Sequence, residues 1–304
     1  MKKYLNSLWL APMAGFTDSA FRQICLQAGA GLVTTEMVST KGLVYNSDNT
    51  KTLLFSNGLE SKTAVQLFGA EPEFFAEAVQ MPELEPFPII DINMGCPVHK
   101  VVKTGAGSAL LKDLNLASKI IKACTNNTKK LVTVKFRIGW DETSIVATDF
   151  AKMCQDSGAS AVCIHGRTQK QLYGGQANWQ IIADTAKQVS IPVIGNGDIT
   201  TSEQAKNILN TSPVQAVAIG RGALGNPWIF SEFKNSDFTL NRLEVIKQNY
   251  LLMLEYCPQE RVVPAMRGQL NFYLKKLKLS AQVRNELNKE TDLNKIFAML
   301  ENLL

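Results

Sequence analysis

Phe87-Pro88-Ile89-Ile90-Asp91-Ile92-Asn93-Met94-Gly95-Cys96-Pro97 is the stretch on which the reading of the fold turns. Its first half is an apolar run holding one acidic residue, the pattern of a buried strand. The Asn, Gly, thiol and Pro that follow end that strand, because Pro offers no N–H to a ladder and Gly favours a turn. The segment 99–107 then carries Lys100, Lys103, Gly105 and Gly107, and it reads as a mobile loop. A cysteine at a strand end beside basic residues is a candidate reactive group. Most free cysteines are instead buried and inert, and Cys96 taken alone leaves both readings open.

Working outward, short apolar runs of the same kind recur at 8–11, 32–35, 64–67, 88–92, 131–136, 161–164, 192–194 and 216–219. Between them, helical periodicity is found at 19–28, 73–79, 114–124, 144–156, 179–189 and 202–209. Strand and helix alternate at a spacing of about thirty residues, one βα unit per repeat. This predicts an α/β fold, a (β/α)8 TIM barrel, with a doubly wound open sheet as the competitor. The barrel is preferred because unusual residues fall at the strand ends along the whole alternating region. After Asp237 the strand-like runs stop, and helices are expected at 242–256, 263–278 and 293–303, with Pro258 and Pro264 punctuating the first two. The expected organisation is a catalytic barrel over 1–236 and a small all-helical domain over 237–304.

Composition narrows the function classes. Among 304 residues, 45% are hydrophobic and 19% charged, which excludes a disordered chain. No apolar run approaches the roughly 18 residues needed to cross a bilayer, and no signal peptide is read after Met-Lys-Lys, so a cytoplasmic, monomeric protein is expected. Six cysteines without a C-x-x-C pair and only two histidines, His99 and His165, argue against zinc and against a disulfide framework, so no metal is expected. The net charge of +5 is a mild basic excess, weak evidence by itself for a polyanionic partner.

The strand ends carry the chemistry. Gly195-Asn196-Gly197-Asp198 and Gly220-Arg221-Gly222 end the last two strands, where small residues let backbone N–H groups approach an anion and Arg221 can add a contact. In a barrel, that is a common place for a phosphate. Pro12, Met13 and Ala14 offer a small apolar wall, and Gln66 and Asn93 offer amides to a planar heterocycle. Lys135 ends a β-rich run and needs an anionic partner, either a ligand or a core carboxylate such as Asp91 or Glu36. The set suits a flavin mononucleotide, with Lys135 stabilising negative charge on the reduced ring. His165 is either a packed polar residue or a neighbour of the cofactor. No G-x-G-x-x-G follows a strand, so a Rossmann-type NAD(P) site is not expected.

Seven strings in order, APMAGFTD at 11–18, VQLFG at 65–69, DINMGCP at 91–97, VKFRIGW at 134–140, HGRT at 165–168, GNGDI at 195–199 and IGRGALGNPW at 219–228, resemble the tRNA-dihydrouridine synthase family. The resemblance spans the barrel and is followed by a helical tail of suitable length. It implies an FMN-containing TIM barrel that uses NADPH or NADH to reduce particular uridines of tRNA to 5,6-dihydrouridine. Carried over, it places Pro12, Met13 and Ala14 along the flavin, Gln66 and Lys135 at its ring, and Asn196, Gly197, Asp198, Gly220 and Arg221 at its ribityl phosphate. Cys96 is implied to be the general acid, protonating uracil C5 opposite a hydride delivered to C6. Asn93, His165 and Arg167 are implied to arrange flavin and uridine, with the segment 99–107 acting as a lid.

Between Arg261 and Arg284 the tail has no acidic residue but holds Arg267, Lys275, Lys276 and Lys278, with Phe272 and Tyr273 interleaved. Such a run is either a solvated helix face or a surface for folded RNA. Gln269 stands where the family resemblance would place a histidine, a departure that bears on tRNA docking. Two other functions stay open: a flavin reductase of a small pyrimidine or enoate, and an RNA-binding protein without catalysis. The acid-free tail argues against the first, and Cys96 with Lys135 against the second.

Overall fold

Parallel strands close into a barrel in the computed structural model, which describes residues 1–275, 277 and 279–304. They are β1 (Leu8–Leu10), β2 (Leu32–Ser39), β3 (Thr63–Phe68), β4 (Ile89–Met94), β5 (Leu131–Gly139), β6 (Ala161–Thr168), β7 (Val193–Asn196) and β8 (Ala216–Ile219). Each pairs with its neighbour in sequence, and β8 returns to β1 with Val217 opposite Leu8 and Ile219 opposite Leu10. That closure excludes the open sheet.

Period-2 alternation explains which side chains reach the site. On β4, Ile90, Ile92 and Met94 pack outward in one apolar cluster with Val132, Val134 and Phe136 of β5 and with the surrounding helices. Ile89 faces inward and joins Trp9, Ala64, Ala161, Ile194 and Ala216 in a plug that fills the barrel floor. Asp91 and Asn93 continue the inward face toward the C-terminal mouth, as Thr133, Lys135 and Arg137 do on β5. β2, β5 and β6 run further than the expected 32–35, 131–136 and 161–164, so Arg137, His165 and Arg167 lie within strands. β2 accommodates its extra length with a register shift against β3 between Thr34 and Met37.

Two local expectations are corrected. The segment 99–107 is not an open loop: it contains the helix His99–Val102, and the 3-10 turn Gly107–Lys112 begins at its end. Burial of Val101 and the Ser108 N–H donating to the Cys96 carbonyl (3.0 Å) fold it back on β4. In the tail, the helix expected over 263–278 is Gln259–Leu274. Pro264 sits exposed near its start and removes one backbone donor without ending it.

The helix Trp228–Lys234 packs on the barrel through Ile229 and Phe230, and the remaining tail helices are Arg242–Leu254, Ala281–Lys289 and Leu293–Glu301. Ala281–Lys289 was not expected, although Ser280 caps it by accepting from the Val283 N–H at 3.2 Å. The tail core, built from residues such as Val245, Tyr250, Val263, Met266 and Leu270, includes Ala20 and Ile24 of the barrel helix Ser19–Gln27. Among the described residues, no helix is long and apolar enough to cross a membrane.

Candidate active site

The mouth is built on a chain of side-chain amides. Asp91, 6% exposed, accepts from Thr133 Oγ1 at 2.6 Å and from Gln66 Nε2 at 2.7 Å. Gln66 Oε1 accepts from Asn93 Nδ2 at 2.9 Å. Asn93 Oδ1 in turn accepts the backbone N–H groups of Gly95 (3.1 Å) and Cys96 (2.9 Å). Burial raises the Asp91 carboxyl to about 6, against the lowering effects of Thr133, Gln66 and Lys135.

Lys135 does not pair with Asp91 or Glu36. Its Nζ donates to Asn196 Oδ1 at 3.1 Å, and Asn196 Nδ2 donates to the Ala218 carbonyl at 2.7 Å. Among the described residues, no carboxylate lies within ion-pair distance of this ammonium. Half-buried, it faces the mouth with donors to spare.

Cys96 is half-buried where the chain leaves β4. Burial pushes its thiol above the ordinary range; the Val98 backbone, Arg137 and Lys135 oppose this but do not prevail. Arg137 is a site residue that the motif reading left without a role. It is 2% exposed, and its Nε donates to the Gly95 carbonyl at 3.0 Å while Nη1 donates to Thr168 and Leu172 carbonyls at 2.9 and 2.7 Å. The signal was available: Thr133, Lys135 and Arg137 are spaced two apart on one strand.

His165 is held neutral, its pKa lowered to about 2 by burial and then by Lys135, Arg137, Arg167 and Arg221. Arg167 is 2% exposed and points inward, making a two-pronged pair with Asp198 at 2.8 and 2.8 Å. It also donates to the carbonyls of Gly174 (2.9 Å) and Gly175 (2.7 Å), so it braces the loop after β6. The Asp198 carboxylate further accepts from the Ala177 N–H (2.7 Å), with Arg221 at 3.4 Å. Gly197 and Asp198 have φ of +138° and +55°, a left-handed turn that ends β7. At Gly220, a side chain would enter the space beside the Met13 sulfur, 3.5 Å from a built Cβ. Pro12 and Met13 are partly buried at the mouth and Ala14 is exposed.

The tail residues are dispersed. Lys275 is exposed at the end of its helix and Arg267 is half-buried, while Lys276 and Lys278 lie outside the described residues. The aromatic residues expected on a nucleic-acid face are packed instead: Tyr273 is 1% exposed, and Phe272 meets Phe16 edge-on at 5.6 Å. Gln269 is buried, accepting from Asn249 Nδ2 (2.6 Å) and donating to the Phe16 carbonyl (3.1 Å) and Asp18 Oδ2 (2.8 Å). No group of His, Cys, Asp and Glu among the described residues could hold a metal ion.

A parallel (β/α)8 barrel whose mouth gathers amides, a neutral imidazole and an excess of cations has the architecture of a barrel enzyme with a positively charged mouth. Histamine dehydrogenase from Rhizobium sp. 4-9 shares this fold at a TM-score of 0.59 and 12% identity, covering 88% of this chain and 49% of that one. The family model described as Dihydrouridine synthase (Dus) matches residues 9–304. A probable tRNA-dihydrouridine synthase of Rickettsia conorii is 38% identical over 297 residues, 94% of this chain and 90% of its own. The tRNA-dihydrouridine synthase B of Pseudomonas aeruginosa is 38% identical over 296 residues, 94% of this chain and 89% of its own. The chain belongs to the dihydrouridine synthase family of flavin-dependent oxidoreductases.

Proposed function

We propose that this chain reduces uridines of tRNA to 5,6-dihydrouridine with FMN held across the barrel mouth and NADPH or NADH as the transient reductant. The residues present fit FMN. Lys135, Arg137, Arg167 and Arg221 surround His165, and Arg167 and Arg221 share the Asp198 carboxylate, so the mouth carries an excess of positive charge and favours an anion. The space opposite Gly220 beside Met13 suits a flat group approaching the backbone. Gln66, Asn93, Lys135 and His165 would meet the ring, Pro12, Met13 and Ala14 its edge, and Asn196, Gly197, Asp198, Gly220 and Arg221 the phosphate end. For Asp198 the contribution is its backbone N–H, since its carboxylate is taken by Arg167. When bound, FMN supplies the hydride for uracil C6.

The chain's own residues supply the proton. The observation that carries this reading is a thiol kept uncharged at the mouth, on a turn anchored by Asn93 and Arg137. A protonated Cys96 can give its proton to C5 and receive another from solvent afterwards. Arg167 serves by fixing the turn at Asp198 and the loop after β6, not by reaching RNA. We further propose the division into a catalytic unit, 1–236, and a tRNA-binding unit, 237–304. Its support is the separate core of the tail helices, seated on the helix Ser19–Gln27. Uridine in a folded tRNA must be turned out to enter the mouth, at a cost of roughly a few kcal/mol.

The test is Cys96→Ala. It should keep its flavin and the reduction of that flavin by NADPH, while dihydrouridine formation falls by about a hundredfold or more. Wild-type product yield from the variant would refute the proton-donor role.

A further inference from the structure

One buried titratable group at the site has no part in the chemistry just described. Asp91 lies one inward position below Asn93 on β4, buried beneath the mouth beside a small cavity that Pro12, Thr133 and Lys135 also line. Its carboxylate starts a chain of hydrogen bonds that has a single polarity. An ionised carboxylate only accepts, so Gln66 must turn its Nε2 toward it. Gln66 Oε1 is then the atom facing β4, and Asn93 must turn Nδ2 to meet it. That leaves Asn93 Oδ1 for the backbone N–H groups of Gly95 and Cys96, which only donate. The acceptor-only end and the donor-only end demand the same orientation of both amides. Reversing either amide would set like atoms against each other at two places in a buried layer.

We propose that Asp91 is a positioning residue for the proton-donating turn: as the acceptor at the foot of the chain through Gln66 and Asn93, it fixes where Gly95 and Cys96 sit. Thr133 holds the second carboxylate oxygen at 2.6 Å, so the carboxyl cannot rotate away from Gln66 without losing that bond. Gln66 is held independently by its own backbone, whose N–H donates to Thr35 Oγ1 at 3.0 Å, so only its side chain is free to choose. This inference rests on the reading of Cys96 as proton donor for its consequence, but its geometry stands without that reading.

Asp91→Leu removes the acceptor, and Asp91→Asn keeps one, since its Oδ1 can face Gln66 while the Thr133 hydroxyl turns to accept from Nδ2. Backbone hydrogen exchange is measured on the flavin-free protein at Gly95 and Cys96, with Ile90 as internal reference. The leucine variant should exchange about tenfold faster at Gly95 and Cys96 and unchanged at Ile90. In the flavin-loaded enzyme its kcat should fall by roughly tenfold with the KM for tRNA within about twofold. The asparagine variant should recover both to within about threefold. Unchanged exchange at Gly95 and Cys96 in the leucine variant, or an asparagine variant no better than leucine, overturns the proposal. If the leucine variant does not fold, Gln66→Met breaks the same chain one link higher and must show the same local exchange. A fully active Cys96→Ala would remove the donor role while leaving the exchange result intact, so the two failures are distinguishable.

Discussion

Burial decides what each titratable residue of the mouth can do. Cys96 and Asp91 are both pushed upward, which keeps the thiol protonated and makes the carboxylate costly to charge. The sign of the Asp91 effect on stability follows from its shift. Unfolded, the carboxyl titrates near its ordinary 3.8; folded, it titrates at about 6. Its full contribution to stability is therefore present below the unfolded value and is lost as the pH rises through the folded one. The difference amounts to at most about 3 kcal/mol. Asp91→Asn cannot ionise, so its stability relative to the native chain should improve by up to that amount between about pH 4 and pH 6.5 and then level off. Urea unfolding across that range is the measurement, and a difference that stays flat would show that the carboxyl is not strained by its surroundings. Asp198 is the counter-case: burial raises it, but Arg167 and the Ala177 N–H outweigh burial and hold it below the usual range.

At the scale of elements, Gln269 shows how the helix Gln259–Leu274 is joined to the barrel. It ties Asn249 of the helix Arg242–Leu254 to the Phe16 carbonyl and to Asp18, which caps Ser19–Gln27 by accepting from the Phe21 N–H at 2.9 Å. The same loop carries Thr17, whose hydroxyl accepts from the Met13 N–H at 3.0 Å. Gln269→Leu should lower stability by about 1–3 kcal/mol, because two partly buried acceptors lose their donor and the buried Asn249 its acceptor. Thermal unfolding checks this, and a loss under about half a kcal/mol would mean that water replaces the amide. The existence of each strand was legible from period-2 apolar runs, but the ends of β2, β5 and β6 were not, because inward polar residues at the mouth interrupt the apolar signal that marks a strand. The segment 99–107 was misread because its lysines and glycines describe its surface; the buried Val101, Ala106 and Gly107 that fold it are invisible to composition. Pro264 misled for a different reason: it sits inside the helix Gln259–Leu274, which continues past the lost N–H because its inner face, with Val262, Val263, Met266 and Leu270, is held in the tail core.

Over the whole molecule, the gathering of the strand-end residues at one mouth was readable, since a closed barrel makes them converge, whereas the packing of the tail was not. Gln269 and Tyr273, four apart, share the inner face with Val262 and Met266, so helical geometry assigns them to packing even though they stand in a basic run. That leaves exposed cations as the means of holding a polyanion. Lys275 lies on the tail, Lys100 on the short helix His99–Val102, and Lys103 and Lys170 on the connections around the mouth, while Lys129 is exposed at the opposite end of the barrel, just before β5. If tRNA bridges the tail and the mouth, Lys100→Gln, Lys103→Gln and Lys275→Gln should each weaken binding. Each should also flatten the slope of log affinity against log salt by roughly 0.7–0.9 for every phosphate left without its cation. Lys129→Gln should change neither. Equal weakening at Lys129 would show a diffuse attraction set by net charge alone, and unchanged affinity at Lys275 would confine the docking surface to the mouth.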